Sequence, residues 1–342
     1  MIIDLRSDTV TKPSKAMLDA MLQAAVGDDV FSEDPTVNEL EKVSADMFGM
    51  EAGLYCSSGT QTNQVAIKAH TQPGMEVICS TESHIYRYEG GGVMVNSGCS
   101  VRMIAGNRGM LKLEDVSSNI NNPDDVHLPL TSLVSLENTS NRGGGAVYPL
   151  EDIKKISVFC KEKKLSLHLD GARLFNALIA SGVSAKEMGS YFDSISICLS
   201  KGLGAPIGSV LLGKSDFIKK SRRVRKVFGG GMRQAGIIAA AGLFVLKNNV
   251  KRLHEDHLRA QQLAKALRES GLVSDMLPVE TNIVIFEIDK KKSDPQKFMD
   301  FFKTKDIHFF SLTPGWFRWV THLDYTNDML QKTVETLKLF KP

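Results

Sequence analysis

Little in this chain is extreme, and each shortage removes a class of protein. Cysteine is scarce, with five in 342 residues. The number is odd and none are paired at metal-ligand spacing, which argues against a disulfide framework and a zinc cluster. Net charge is only +3, too small to mark a nucleic-acid or membrane-surface binder. No run approaches the roughly 20 apolar residues of a membrane span. The chain starts Met-Ile-Ile-Asp-Leu-Arg-Ser-Asp, with charges where a signal peptide needs an apolar stretch. Internal repeats and low-complexity tracts are missing too. The expectation is a reduced, cytoplasmic protein that handles a small molecule, with no metal, nucleic acid or membrane partner.

What remains is ordinary globular material, 42% hydrophobic and 24% charged, long enough for about two domains. Short β-rich runs alternate with helical patterns, which predicts an α/β fold on a mostly parallel sheet. The strand candidates are Gly53–Ser57, Val77–Cys79, Val101–Ile104, Leu133–Leu136, Leu165–Leu169, Ile195–Leu199 and Ser209–Leu212. Helical periodicity covers Gln61–His70, Leu150–Lys163, Ala172–Ala180 and Arg233–Leu246, and Asp34-Pro35 starts a helix as cap and first residue. From about Val250 the texture changes to a charged helix, then Asn282–Ile288, Phe301–Phe310, Phe317–Val320 and a final helix. The division this predicts is a large domain over 1–248 that includes the N-terminal segment, and a smaller α+β domain over 249–342.

Two strand ends carry the chemistry. Leu165–Leu169 delivers Asp170 and Ile195–Leu199 delivers Lys201, a separation that suits one strand–helix–strand unit. The carboxyl ends of parallel strands open onto the ligand crevice. Taken singly, such a lysine is a solvated rim residue and an Asp before Gly is a turn former. As a pair with small neighbours they suit pyridoxal 5'-phosphate (PLP). The lysine would form a Schiff base with its aldehyde, and the aspartate would keep its ring nitrogen protonated as an electron sink.

Other segments fit the same ligand. Cys56-Ser57-Ser58-Gly59-Thr60, between a strand and a helix, offers helix-start amides and hydroxyls as a phosphate cradle or, more plainly, an N-cap. Gly229-Gly-Gly-Met-Arg-Gln234 precedes a helix in the same manner, with Arg233 as a phosphate ligand. His84 follows one strand closely and His127 precedes another. The basic run Lys219–Lys226 lacks interleaved aromatics and reads as a solvated helix face or a subunit contact, and His254 and His257 read as solvated.

These residues together resemble the low-specificity L-threonine aldolases, PLP enzymes of the aspartate-aminotransferase fold (fold type I), along nearly the whole chain. The specific pieces are Asp4-Leu-Arg-Ser-Asp-Thr-Val-Thr-Lys-Pro13, Gly27-Asp-Asp-Val-Phe-Ser-Glu-Asp-Pro35, His168-Leu-Asp-Gly-Ala-Arg173, Leu199-Ser-Lys-Gly202 and Gly229–Gln234. The resemblance implies a seven-stranded large-domain sheet and a homotetramer built as a dimer of dimers. It implies Lys201 bonded to the cofactor, Asp170 on the ring nitrogen and His84 stacked on the ring. Arg173 approaches the ring hydroxyl and the substrate carboxylate. Ser58, Gly59 and Thr60 cradle the phosphate, with Arg233 reaching over from a neighbouring subunit. Ser7 and Arg318 bind the substrate carboxylate. Phe31 stands where many relatives carry tyrosine, and Tyr86-Arg-Tyr88 borders the side-chain pocket, so the choice between threonine and allo-threonine stays open. His84, His127 and a water are the candidate bases for retro-aldol cleavage to glycine and an aldehyde. A β-eliminating lyase or transaminase on the same fold is the first rival. A catalytically silent binding module is the second.

Overall fold

The structure is a computed structural model that describes residues 1–342. Its central sheet holds seven strands: β2 (Ala52–Cys56), β3 (Glu76–Ser80), β4 (Ser100–Ile104), β5 (Thr131–Glu137), β6 (Ser166–Gly171), β7 (Ser194–Cys198) and β8 (Ser209–Gly213). They lie in the order β2-β8-β7-β6-β5-β3-β4. Only β8 runs against its neighbours; the β7–β6–β5–β3–β4 pairs are parallel. Because β2 is antiparallel to β8 and β8 to β7, β2 points the same way as the parallel set. The carboxyl ends of β2, β3, β5, β6 and β7 therefore open on one edge.

The fold class agrees with the pattern of alternating apolar runs, and the strand ends move by only a residue or two. Strands β3, β7 and β8 are buried throughout, as expected for a sheet covered on both faces. Local sequence punctuates the helices around it. Asp34 caps Pro35–Phe48, its carboxylate accepting the Val37 amide, and Gly49 ends that helix in the left-handed region at φ 64°.

The second sheet is antiparallel: β9 (Val273–Met276), β10 (Ile283–Ile288), β12 (Phe310–Thr313) and β13 (Trp316–Val320), ordered β12-β13-β10-β9. The segment Phe301–Phe310 is not one element. It divides between a helix over Pro295–Thr304, the two-residue β11 (Ile307–His308) and the start of β12. Strand β11 pairs with β1 (Ile3–Asp4).

Two large apolar cores result. One packs the central sheet against its helices, from Met17 to Leu253. The other gathers Phe286, Phe298, Phe302, Phe317 and Trp319. The N-terminal segment, expected with residues 1–248, contributes Ile3 and Leu5 to this second core. The chain start thus clasps the C-terminal sheet, which places Ser7 and Asp8 where the two cores meet. All five cysteines are free and buried. No helix is long and apolar enough to cross a membrane.

Candidate active site

The open sheet edge leads into two adjoining cavities that share His84 and Lys201. The inner one, about 190 Å³, is lined by Ser58, Gly59, Thr60, Asn63, Asp170 and Cys198 among others. The outer one, about 450 Å³, is lined by Ser7, Tyr88, Asn141, Arg173, Phe310 and Arg318 among others. Lys201 is the only lysine in either wall. Its side chain makes no ion pair, although it stands between a carboxylate-rich floor and an arginine-rich mouth.

The floor begins with Asp170, which β6 delivers beside Glu137 of β5 in register. The Asp170 carboxylate is 3% exposed and accepts from Asn63 Nδ2 at 2.8 Å and from the Ala172 amide at 3.1 Å. No cation pairs with it in the chain. Glu137, equally buried, accepts the backbone amides of His84 at 2.8 Å and Asn141 at 2.9 Å. Burial first, then the Asp170 charge, pushes the Glu137 carboxyl up to about 7. Glu89 accepts from Asn63, Gln64 and the His84 ring. Ligand atoms of His84, Glu89 and Asp170 lie within 4.8 Å of one another, a cluster already held together by these donors. Burial alone would lower the His84 pKa, but the Glu89 hydrogen bond and the Asp170 charge outweigh it and raise it. With Nδ1 on Glu89 at 2.9 Å, His84 carries its proton there and leaves Nε2 free.

The mouth reverses the sign. Arg173 grips Asp8 with two hydrogen bonds of 2.7 Å, both groups buried. Burial opposes the Asp8 charge, yet Arg173 holds its carboxyl down to about 2. A remaining Arg173 donor and an Arg318 donor both reach Asn141 Oδ1, each at 3.2 Å. Arg318 also donates to the Arg6 carbonyl, while its buried Nε finds no acceptor. Burial, followed by the nearby Arg173 charge, lowers the Arg318 pKa to about 10. Two guanidiniums sharing one amide oxygen make an anion site, and a carboxylate fits it bidentately.

PLP fits this donor set. Ser58 caps the helix Gly59–His70 by accepting the Gln61 amide at 3.1 Å, so the Gly59 and Thr60 amides face outward without intrahelical partners. A Cβ on Gly59 would stand 3.0 Å from Cys198 Sγ, so side-chain bulk is kept out of the cradle. A phosphate suits those amides. The unpaired Asp170 suits a protonated ring nitrogen, and the unpaired Lys201 suits an aldehyde.

Not every expected residue is here. His127 lies on an exposed loop, its side chain 88% accessible and its ring on Asp125. Phe31 is 67% exposed, and Arg233 stands over its ring while pairing with Asp28. None of the three lines either cavity of its own chain. The reason is local: His127 and Arg233 sit on loops and Phe31 ends a short 3-10 helix over Asp29–Phe31, and none of these segments reaches the cleft of its own chain. Two bland readings also change. Arg225, from the basic run, is buried against Asp29, and His257 is buried and hydrogen-bonded to Asn176. Conversely, Asp8, Asn63, Glu89, Glu137 and Asn141 belong to the site but were not singled out in the sequence. Glu137 ends an apolar strand as Asp170 does, a signal that was available.

Comparison with known proteins shows the family. The beta-eliminating lyase family profile matches residues 4–291. The chain is 44% identical to the low specificity L-threonine aldolase of Escherichia coli K12, over 99% of each chain. It is 43% identical to that of Saccharomyces cerevisiae, covering 85% of this chain and 76% of the yeast protein. Among solved structures, the Leishmania major threonine aldolase superposes with a TM-score of 0.86 at 22% identity, covering 98% and 99% of the two chains. Sphingomonas wittichii serine palmitoyltransferase reaches 0.77 at 15% identity, covering 99% of this chain and 86% of that one. At such identities the structural likeness speaks for the fold alone.

Proposed function

Since the chain belongs to the low-specificity L-threonine aldolases within the beta-eliminating lyase family, we propose how its two-ended cleft performs that chemistry. The chain is a carbon–carbon lyase that cleaves L-threonine, L-allo-threonine or both to glycine and an aldehyde. PLP is its cofactor, and when bound its ring accepts the electron pair released as the Cα–Cβ bond breaks.

The residues supply position and protons. Lys201 would hold the cofactor aldehyde, and Asp170 would hold the ring nitrogen. Ser58, Gly59 and Thr60 would hold the phosphate, and His84 would lie against the ring. Arg318 and the Arg173 donor that reaches Asn141, with Ser7, bind the substrate carboxylate at the mouth. Fixing that end orients the Cα–Cβ bond, which is catalysis by positioning. His84 Nε2 takes the β-hydroxyl proton; Glu89 on its other nitrogen stabilises the cation that results. Tyr88, its ring centroid 5.5 Å from that of His84, borders the substrate side chain.

The observation that carries this reading is Lys201 standing unpaired between Asp170 and the Arg173–Arg318 pair. Purified protein loaded with PLP should convert L-threonine to glycine and acetaldehyde in equal amounts, with little 2-oxobutyrate or ammonia. Predominant 2-oxobutyrate would decide for β-elimination instead. Running L-allo-threonine beside it gives the stereopreference.

The assembly proposed is a homotetramer, a dimer of dimers. The exposure of Phe31, Arg233 and His127 supports it, because a second copy is the means by which they would reach a cleft. An active monomer in sedimentation would overturn this. A cytoplasmic setting, with a role in threonine catabolism and glycine supply, is supported by five unpaired cysteines and by the products.

A further inference from the structure

Behind Asp170 runs a buried chain of polar groups that the reaction above does not use. His70 Nε2 lies 2.8 Å from Ser194 Oγ, and Ser194 Oγ lies 2.8 Å from His168 Nδ1. His168 Nε2 lies 3.1 Å from Asn63 Oδ1, and Asn63 Nδ2 donates to both Asp170 and Glu89. Ser194 and His168 are completely buried, and the His70 ring is stacked on Phe217 at 4.3 Å.

The hydrogens in this chain have one allowed sense. Asn63 must present its NH₂ to the two carboxylates, because its oxygen would repel them. Its Oδ1 therefore faces His168 and can only accept, so His168 carries its proton on Nε2. Burial lowers the His168 pKa to about 4, despite the Asp170 charge, so the ring is neutral and Nδ1 accepts. The single Ser194 hydrogen goes to that nitrogen, and the Ser194 oxygen then accepts from His70 Nε2–H. Every link points its donor toward Asp170. Such chains polarise one another cooperatively in a low-dielectric interior.

We propose that His168 is a positioning residue, locked as its Nε2–H tautomer by Ser194 and His70, that acts through Asn63 to hold the Asp170 carboxylate aimed into the inner cavity. This rests on the reading of Asp170 as the ring-nitrogen partner, and two separate readouts keep the two claims apart. In cofactor-free protein labelled with ¹⁵N-histidine, long-range ¹H–¹⁵N spectra should show His70 and His168 as neutral Nε2–H tautomers from pH 6 to 8. His70→Gln and His168→Gln variants provide the assignments. An Nδ1–H tautomer at His168 would overturn the chain of donors whatever the enzyme does.

The second arm uses Ser194→Ala, which removes one hydroxyl from a strand and touches neither cavity. With PLP labelled at the ring nitrogen bound to the protein, the variant should lower the proton affinity of that nitrogen about fivefold, the worth of one hydrogen bond. The KM for threonine should stay unchanged, which a merely structural disturbance would not respect. Unchanged ring-nitrogen affinity alongside an altered His168 tautomer would refute the action on Asp170. Failure of wild-type protein to bind PLP would instead strike the functional reading and leave the tautomer result standing.

Discussion

The floor and the mouth of the cleft hold charge in opposite ways. At the floor every carboxylate is supplied with donors. Glu89 has three, and Glu137 and Asp170 have two each. At the mouth the donors outnumber the acceptors, so Arg173 and Arg318 share one oxygen of Asn141 and Arg318 Nε has none. A cluster braced by several donors keeps its shape whether or not a ligand is present. An under-satisfied pair of cations, Arg173 buried and Arg318 half-buried, gains most when an anion arrives. In the proposed mechanism the floor sets the electronics, and the mouth selects and orients the substrate.

The sharpest way to break this division is Asp170→Ala. If the floor acts on the electron sink, kcat should fall by about 10³-fold, the scale for removing a preorganised electrostatic partner, with the KM for threonine changed far less. Steady-state kinetics decides, and a loss confined to KM would erase the distinction between the two ends.

Arg318→Leu attacks the mouth. Both parameters should move, KM upward and kcat downward, because the arginine binds and orients; kcat/KM should drop by roughly 10²-fold, as for truncating one partner of a buried charged contact. A change in kcat alone would place Arg318 with the floor.

Glu137→Gln is a smaller change that sharpens the floor itself. The Glu137 carboxyl sits at about 7 in the fold, against 4.5 for an ordinary glutamate. The folded chain therefore holds a proton that the unfolded chain releases. Its contribution to stability is complete below pH 4.5 and is lost as pH rises through about 7. Thermal unfolding across that window should show the glutamine variant losing less stability than wild type. Parallel profiles would contradict the assignment.

The two ends also differed in how well the sequence disclosed them. Asp170 and Lys201 were legible because an apolar strand that ends in a charged residue marks the sheet edge. Ser58–Thr60 were legible because strand, small residues and helix follow in order. Asp8 was not, although it lies inside a quoted motif. Its meaning depends on Arg173, 165 residues away, and no periodicity records such a pairing. Asn63 sits within a helix pattern and Asn141 within a loop, so neither carries a spacing signal. Arg233 came from its glycine-rich loop, His127 from its place before a strand and Phe31 from resemblance, and a single chain leaves all three on its surface. The fold was more legible than the site, since strands follow from local apolar runs while Glu137, Glu89 and Asn141 act through contacts between distant segments. The aromatic core around Phe298 was the exception: Phe301–Phe310 mixes a helix end with two strand starts.

Lys201 is the residue that joins the two ends, lining both cavities. Protein carrying PLP, reduced with borohydride and digested, should yield a single pyridoxyl-modified peptide, the one containing Leu199-Ser-Lys-Gly202. A pyridoxyl group on any other lysine would contradict the account.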